Sequence, residues 1–461
     1  MQIQANNKTL LLVAFVVFLT RIPFIFAGYG AEEDAWGLIL VARNINLSGI
    51  YEVSRMPGHP VQEYMLSLLW NSHAWILNML TAAVSSSGIF FFMKAVKELG
   101  IKHVVAPGIT LAFVPVFFIH STDIMDYTWA LSLVLLAFYL MLTGKYLAAG
   151  IVLGLACGFR ITAGAMVIPF AIWHYMKYNS WKSIILSAGL TLITALICFI
   201  PAFKIYGPSF FTYYEYFPYP PLLKNIYKGT IGAWGIIGMA AIGICVIICS
   251  RRWIKHPSEE KKNFIPVVIL CFVTIIIYTY SFLRIPQKTA FVLPMIPFII
   301  LLFALLLHKR EQIYLAVAML LSCFFIGVNL DNPLRGSTPS KFAYHTTIAY
   351  TPVAIDFLSG PVMANHTKRI QKMNYAKYIN NKLSNVNEKT VIISGFWQNE
   401  LKYFALKKNN PAVSYLYYAD EKELNDSVAA GNKIFFLPEQ DYYNDLRFSK
   451  NFTSTLAHEL K

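Results

Sequence analysis

Apolar runs close to twenty residues long recur through the first 330 positions, separated by short clusters of lysine and arginine. That pattern leaves the chain few folds. Inside a bilayer every backbone N–H and C=O must be paired within the segment itself, so a polytopic α-helical membrane protein is expected. About eleven spans are predicted, at 10–27, 65–93, 104–120, 127–143, 147–159, 163–178, 184–206, 231–250, 264–282, 289–307 and 313–330. The fifth and sixth could instead form one kinked hairpin around Gly158-Phe159-Arg160. The first run lacks a small-residue cleavage site and reads as a retained span. With 56% apolar and only 14% charged residues, the chain is too apolar for a soluble protein of this length.

Basic residues set the orientation. With the N-terminus inside, Lys94, Lys97, Lys102, Arg251, Arg252, Lys309 and Arg310 fall on the inner side. The outer loops hold fewer cations and most of the acids, including Glu32, Glu33, Asp34, Glu52, Glu63, Asp123 and Asp126. The expectation is a multi-pass protein of the cell (inner or plasma) membrane, with a cytoplasmic N-terminus and an extracytoplasmic tail. Much of the net charge of +15 is then a topological signal. The lipid bilayer is an expected partner and nucleic acid is not.

Residues 1–330 read as the transmembrane domain, with a first outer loop at 28–64. Residues 331–389 read as a connector and 390–461 as a small extracytoplasmic α/β domain. There, Thr390–Gly395, Ala412–Tyr418 and Lys433–Leu437 have strand character, and Asn399–Leu406 and Glu421–Ala430 helix character. Such βαβαβ alternation predicts a parallel sheet. No G-x-G-x-x-G follows a strand, and no Walker loop or H-E-x-x-H helix occurs. The six cysteines all lie in apolar segments without a C-x-x-C pair, which predicts small buried residues.

Charge at the membrane face is where chemistry is expected, because an ionised group there needs water, a counter-ion or a ligand. Glu32-Glu33-Asp34 follows the first span. Asp34 fits either a helix-capping acid or a general base toward a hydroxyl. Arg55-Met56-Pro57-Gly58-His59-Pro60 is either a rigid turn or a phosphate- and sugar-binding loop using Arg55 and His59. Asp123 and Asp126 are three apart, so one helical turn would align them. Arg160 sits among small residues and is expected to face a cavity. Arg284 and Lys288 are four apart and would share one anion if helical, or simply anchor the interface. The aromatic loop Tyr206–Gly229 is an interfacial belt or a stacking surface for a sugar or isoprenoid.

Taken together, Arg21, Glu33-Asp34, GIYEVSRMPGHPVQEY, Asp123 to Asp126, Gly158-Phe159-Arg160 and RIPQKTAFVLPMIPF resemble the GT-C superfamily of membrane glycosyltransferases. That group includes protein O-mannosyltransferases and lipid A aminoarabinose transferases. The likeness covers about residues 9–330, and the C-terminal extension is similar to the extracytoplasmic domain of many bacterial members. It implies transfer of a sugar from a polyprenyl-phosphate donor to a lipid, glycan or protein acceptor, usually with inversion. Carried onto this chain, it implies Asp34 as base with Glu33 as runner-up. Asp123 or Asp126 would support substrate binding, and Arg55, Arg160, Arg284 and Lys288 would neutralise the leaving phosphate. A divalent metal is left open, since oligosaccharyltransferase-like members use one and others do not.

The alternative is a transporter or flippase of a lipid-linked or anionic solute. It calls for paired interrupted helices in two halves. The sequence shows one strong break, at Gly158–Gly164.

Overall fold

The computed structural model describes residues 6–208, 219–255, 258–330, 342–348, 351–406, 410–417, 419–437 and 458–459. Its helices are α1 (Asn7–Arg21), α2 (Glu33–Ser48), α3 (Pro60–Ser67), α4 (Ala74–Glu98), α5 (Val105–Ala112), α6 (Pro115–His120), α7 (Tyr127–Leu142), α8 (Tyr146–Phe159) and α9 (Val167–Tyr178). They continue with α10 (Trp181–Tyr206), α11 (Leu222–Gly229), α12 (Ile231–Lys255), α13 (Ser258–Arg284), α14 (Ile296–Leu306) and α15 (Lys309–Phe324). Beyond the bundle come α16 (Pro361–Leu383), α17 (Gln398–Ala405) and α18 (Glu421–Ala429).

Each expected span has a helical counterpart. Among the described residues, six segments are long and apolar enough to cross a membrane: Asn7–Phe24, Ala74–Glu98, Trp181–Tyr206, Ile231–Lys255, Phe264–Arg284 and Thr289–Leu306. The shorter α7 and α8 are also apolar. Prolines explain two departures from the expected limits. Pro60 starts the separate short helix α3, so the second span begins only at Ala74. Pro115 holds Val114 extended and splits the third span into α5 and α6. The fifth and sixth spans are distinct helices, joined by a 3-10 turn at Ile161–Met166.

A stripe of glycines sets the position of α8. Gly150, Gly154 and Gly158 recur every fourth residue, hence on one helix face. A Cβ there would come within 2.4 Å of Ser187 O, Thr194 Cβ and Val61 Cγ2 respectively. Only glycine lets α8 lie this close to α10 and α3, as small residues do at other membrane helix contacts. Arg160 follows as the extended residue that ends α8.

The strands form two sheets. Strands β1 (Gly327–Asn329), β2 (Ala343–Ile348) and β3 (Thr351–Asp356) make an antiparallel sheet in the order β1-β3-β2. Strands β4 (Thr390–Ile393), β5 (Val413–Leu416), β6 (Lys433–Phe436) and β7 (His458–Glu459) form a parallel sheet in the order β5-β4-β6-β7.

The segment before that sheet is more than a linker. Arg369 on α16 is 2% exposed. Its guanidinium donates to Ala27 O at 3.2 Å, Gly28 O at 2.9 Å, and Thr122 O and Oγ1 at 3.0 and 3.2 Å. It thereby ties the first interhelical loop to the α6–α7 loop. Trp36 of α2 stacks edge-on against Tyr403 and packs on Phe404, so α17 rests on α2. All six cysteines are free, and all but Cys198 are buried.

Candidate active site

The site grows from the start of α2. Glu32 is the N-cap residue by position, but its side chain makes no capping bond. It pairs instead with Lys288 Nζ at 2.5 Å. Asp34, in the first turn, also meets Lys288 and lies 3.2 Å from Arg55 Nη1. Lys288 reaches it because α13 ends at Arg284 and the chain turns before a second 3-10 stretch at Thr289–Met295.

Arg55 is the hub. Its other terminal nitrogen pairs with Asp126, and its Nε donates to His59 Nε2 at 3.0 Å. Asp126 is fully buried and accepts from Arg160 Nη1 at 2.8 Å. Tyr127 lies beneath both guanidiniums, at 5.7 Å from Arg55 and 4.6 Å from Arg160. The His59 Nδ1–H donates to Phe159 O at 2.6 Å, leaving Nε2 as acceptor. That bonding requires the neutral imidazole.

The loop that carries Arg55 is held by Glu63, which is fully buried. Its carboxylate accepts from Tyr51 Oη at 2.5 Å, Ser54 N and Oγ at 2.7 Å, and His59 N at 3.0 Å. Gly58 turns the chain with a φ of +97°, which a side chain would strain.

Electrostatics separate the two adjacent acids. Burial alone would raise the Asp34 pKa, but Lys288 and then Arg55 outweigh it and hold the carboxyl well below its usual range. Burial likewise opposes Asp126 ionisation, and the Arg55 and Arg160 guanidiniums overcome it. Glu33 goes the other way. Burial, then the Glu400 and Asp34 carboxylates, push it up to about 8. Its neighbour Glu400 on α17 is itself paired to Lys372 at 2.6 Å. Lys288 and Arg55 are held charged by their carboxylates against the pull of burial, and burial keeps His59 neutral.

Of the residues singled out in the sequence, Asp34, Arg55, His59, Asp126, Arg160 and Lys288 meet in one cluster. Three do not join it. Asp123 accepts from His120 Nδ1 at 3.0 Å and Met125 N at 3.1 Å, because residues 121–126 are not helical and the two aspartates diverge. Arg284 is exposed at the end of α13 and forms no ion pair with the cluster's acids among the described residues. Glu33 faces Glu400 and Lys372. Tyr213, Tyr214, Tyr216 and Phe217 of the aromatic loop lie outside the described residues. The sequence missed the pairing of Glu32 with Lys288 and the clamp made by Glu63. A glutamate four residues after His59 in a Pro-Gly turn was the available signal for the clamp.

A divalent metal does not fit this donor set. Among the described residues no three of His, Cys, Asp or Glu gather as ligands. The carboxylates of Asp34 and Asp126 already face Arg55, Arg160 and Lys288, which would repel a second cation.

Comparison with known proteins gives three results. The sequence matches the EpsG family over residues 57–344. No curated protein sequence matches. Among solved structures, ArnT from Cupriavidus metallidurans bound to undecaprenyl phosphate is similar at 10% identity and a TM-score of 0.55, over 98% of this chain and 89% of that one. Its apo state is similar at 11% identity and 0.55, over 95% and 90%. The Archaeoglobus fulgidus oligosaccharyltransferase aligns at 10% identity and 0.45, over 86% and 63%. The ArnT matches show that this chain shares the fold of that protein.

Proposed function

The chain belongs to the EpsG family, and on that footing we propose that it is a membrane glycosyltransferase that takes a sugar from a polyprenyl-phosphate donor on the extracytoplasmic side. The observation that carries this reading is the meeting of Arg55, Arg160 and Lys288 with Asp34 and Asp126 at one end of the bundle. The likeness to an ArnT structure holding undecaprenyl phosphate agrees with a lipid-linked donor.

In this mechanism the donor phosphate binds between Lys288 and Arg55. It takes over cations that otherwise hold the Asp34 carboxylate, so Asp34 becomes more basic as the donor arrives. The acceptor hydroxyl attacks the anomeric carbon from the face opposite the phosphate, which inverts that centre. The new C–O bond forms as the C–O bond to phosphate breaks. The hydroxyl proton passes to Asp34, and the polyprenyl phosphate leaves with the bonding pair. Charge grows on the leaving phosphate, where preorganised cations stabilise it most. Asp126 keeps Arg55 and Arg160 in place and does not touch the reacting atoms.

The test uses purified protein, a labelled polyprenyl-phosphate sugar and a crude acceptor pool, comparing wild type with Asp34→Asn. Label should move to the acceptor only with wild type. Transfer that survives the substitution removes Asp34 as base, and absence of carrier binding removes the enzyme class. Transport of a lipid-linked solute is the second reading, favoured by the second interrupted segment at Thr289–Met295. It predicts that the carrier moves without any new glycosidic bond.

A further inference from the structure

A cavity of about 500 Å³ lies beside the charged cluster, between α2, the loop at 52–54, α16, α17 and β5. Its size falls within the range of roughly 300–1,000 Å³ that holds small-molecule ligands. Two short links join it to the proposed reaction centre. Gly37, in its wall, is one helical turn beyond Asp34 on α2. Ser54, also in its wall, immediately precedes Arg55. The approach of the two walls depends on Gly37, because a Cβ there would lie 2.7 Å from Asn399 Nδ2.

The lining has a distinct chemistry. Asn380 and Asn399 each spend one amide N–H inside the protein, on Phe404 O at 3.1 Å and Glu33 O at 3.4 Å, and Asn44, at the exposed rim, spends one on Glu52 Oε2 at 2.9 Å. Among the described residues their amide oxygens accept no hydrogen bond. Each amide is left with that oxygen and one N–H, so a ligand that both donates and accepts hydrogen bonds fits them. Tyr415 adds an aromatic wall and Lys402 a cation, while Glu52 offsets Arg43. A phosphate, which only accepts, would leave the amide oxygens unpaired, and an acyl chain would leave the amides unpaired altogether. A sugar ring offers hydroxyl donors at its edge and C–H groups on its face.

We propose that this cavity is an acceptor subsite and that the acceptor is a saccharide, held with one hydroxyl directed to Asp34. The proposal rests on the transferase reading above. It makes the C-terminal region half of the acceptor site.

The test measures binding to the full-length protein in nanodiscs by calorimetry. The probes are undecaprenyl phosphate and, separately, unbranched hexasaccharides of glucose, galactose, mannose and N-acetylglucosamine. At least one hexasaccharide should bind wild type. Its affinity should fall roughly ten-fold in both Asn399→Leu and Tyr415→Ala, the size of one lost contact, while carrier affinity stays within about two-fold in each. The retained carrier affinity shows that the variants fold, and Lys402→Ala, on an exposed side chain, provides a third variant with a smaller expected loss. Carrier binding without any hexasaccharide binding overturns the saccharide proposal and leaves the transferase reading standing. Saccharide binding that none of the three substitutions weakens overturns the cavity as its site. Failure of both probes overturns the two together.

Discussion

Lys288 is ion-paired with Asp34 across 254 residues of sequence, and it shares that ammonium with Glu32. The proposed base and a proposed phosphate ligand thus neutralise each other until a substrate separates them.

Replacing Asp34 by Asn should therefore separate chemistry from binding. Transfer should fall by at least ~10²-fold, the usual contribution of a general base. Carrier affinity should hold or rise, because Lys288 and Arg55 lose a competing carboxylate. Kinetics and carrier titration on the same preparation check this. Parallel loss of both would mean that Asp34 holds the fold rather than the reaction.

Lys288→Met should lower the transfer rate by roughly 10²–10³-fold, as removal of one preorganised charge-stabilising group does elsewhere. Arg284→Ala should leave it near wild type, although both residues stand in one sequence motif. Side-by-side rates of the two variants decide the matter. Equal losses would contradict the geometry.

Glu33 predicts a pH effect on stability rather than on rate. Its folded pKa of about 8 lies above the ordinary carboxylate value of 4.5. The folded state then holds a proton that the unfolded state has lost, so this contribution is complete below about pH 4.5 and gone above about pH 8. Thermal unfolding between pH 5 and 9 should show wild type losing stability with rising pH, and Glu33→Gln should flatten that slope. The variant should still transfer sugar. A variant without transfer would make Glu33, rather than Asp34, the base.

Glu63→Ala should slow transfer without touching substrate. Four donors (Tyr51 Oη, Ser54 N–H, Ser54 Oγ and the His59 N–H) lose their acceptor. Each buried donor left unpaired costs about 1–3 kcal/mol. The melting temperature should drop. The rate loss should be recovered in part by Glu63→Gln, whose amide oxygen can still accept. An unchanged melting temperature would show that the Pro-Gly loop stands without this clamp.

The bundle was legible because apolar runs and basic punctuation are long-range patterns that survive local detail. That Asp34, Arg55, Asp126, Arg160 and Lys288 would pair was legible for a related reason: charge beside a membrane needs a partner. The choice between neighbours was not legible. Asp123 and Asp126 look equivalent if the chain between them is helical, and it is not. Arg284 and Lys288 look like one helix face, but α13 ends between them. Arg369 gave no signal at all. A lone arginine in a polar helix reads as solvated, and only the packing of α16 on two distant loops buries it.

Arg369 also bears on how the protein is made. Ribosomes deliver residues in order, and the carbonyls of Ala27, Gly28 and Thr122 precede their shared donor by more than 240 positions. The loop preceding α2 cannot take its final shape until that late residue has been synthesised and has docked. A newborn chain, halted anywhere within the bundle, would sit in the membrane with its reactive groups present and unaligned. Catalytic competence would arrive in one step, once α16 has been synthesised and has docked.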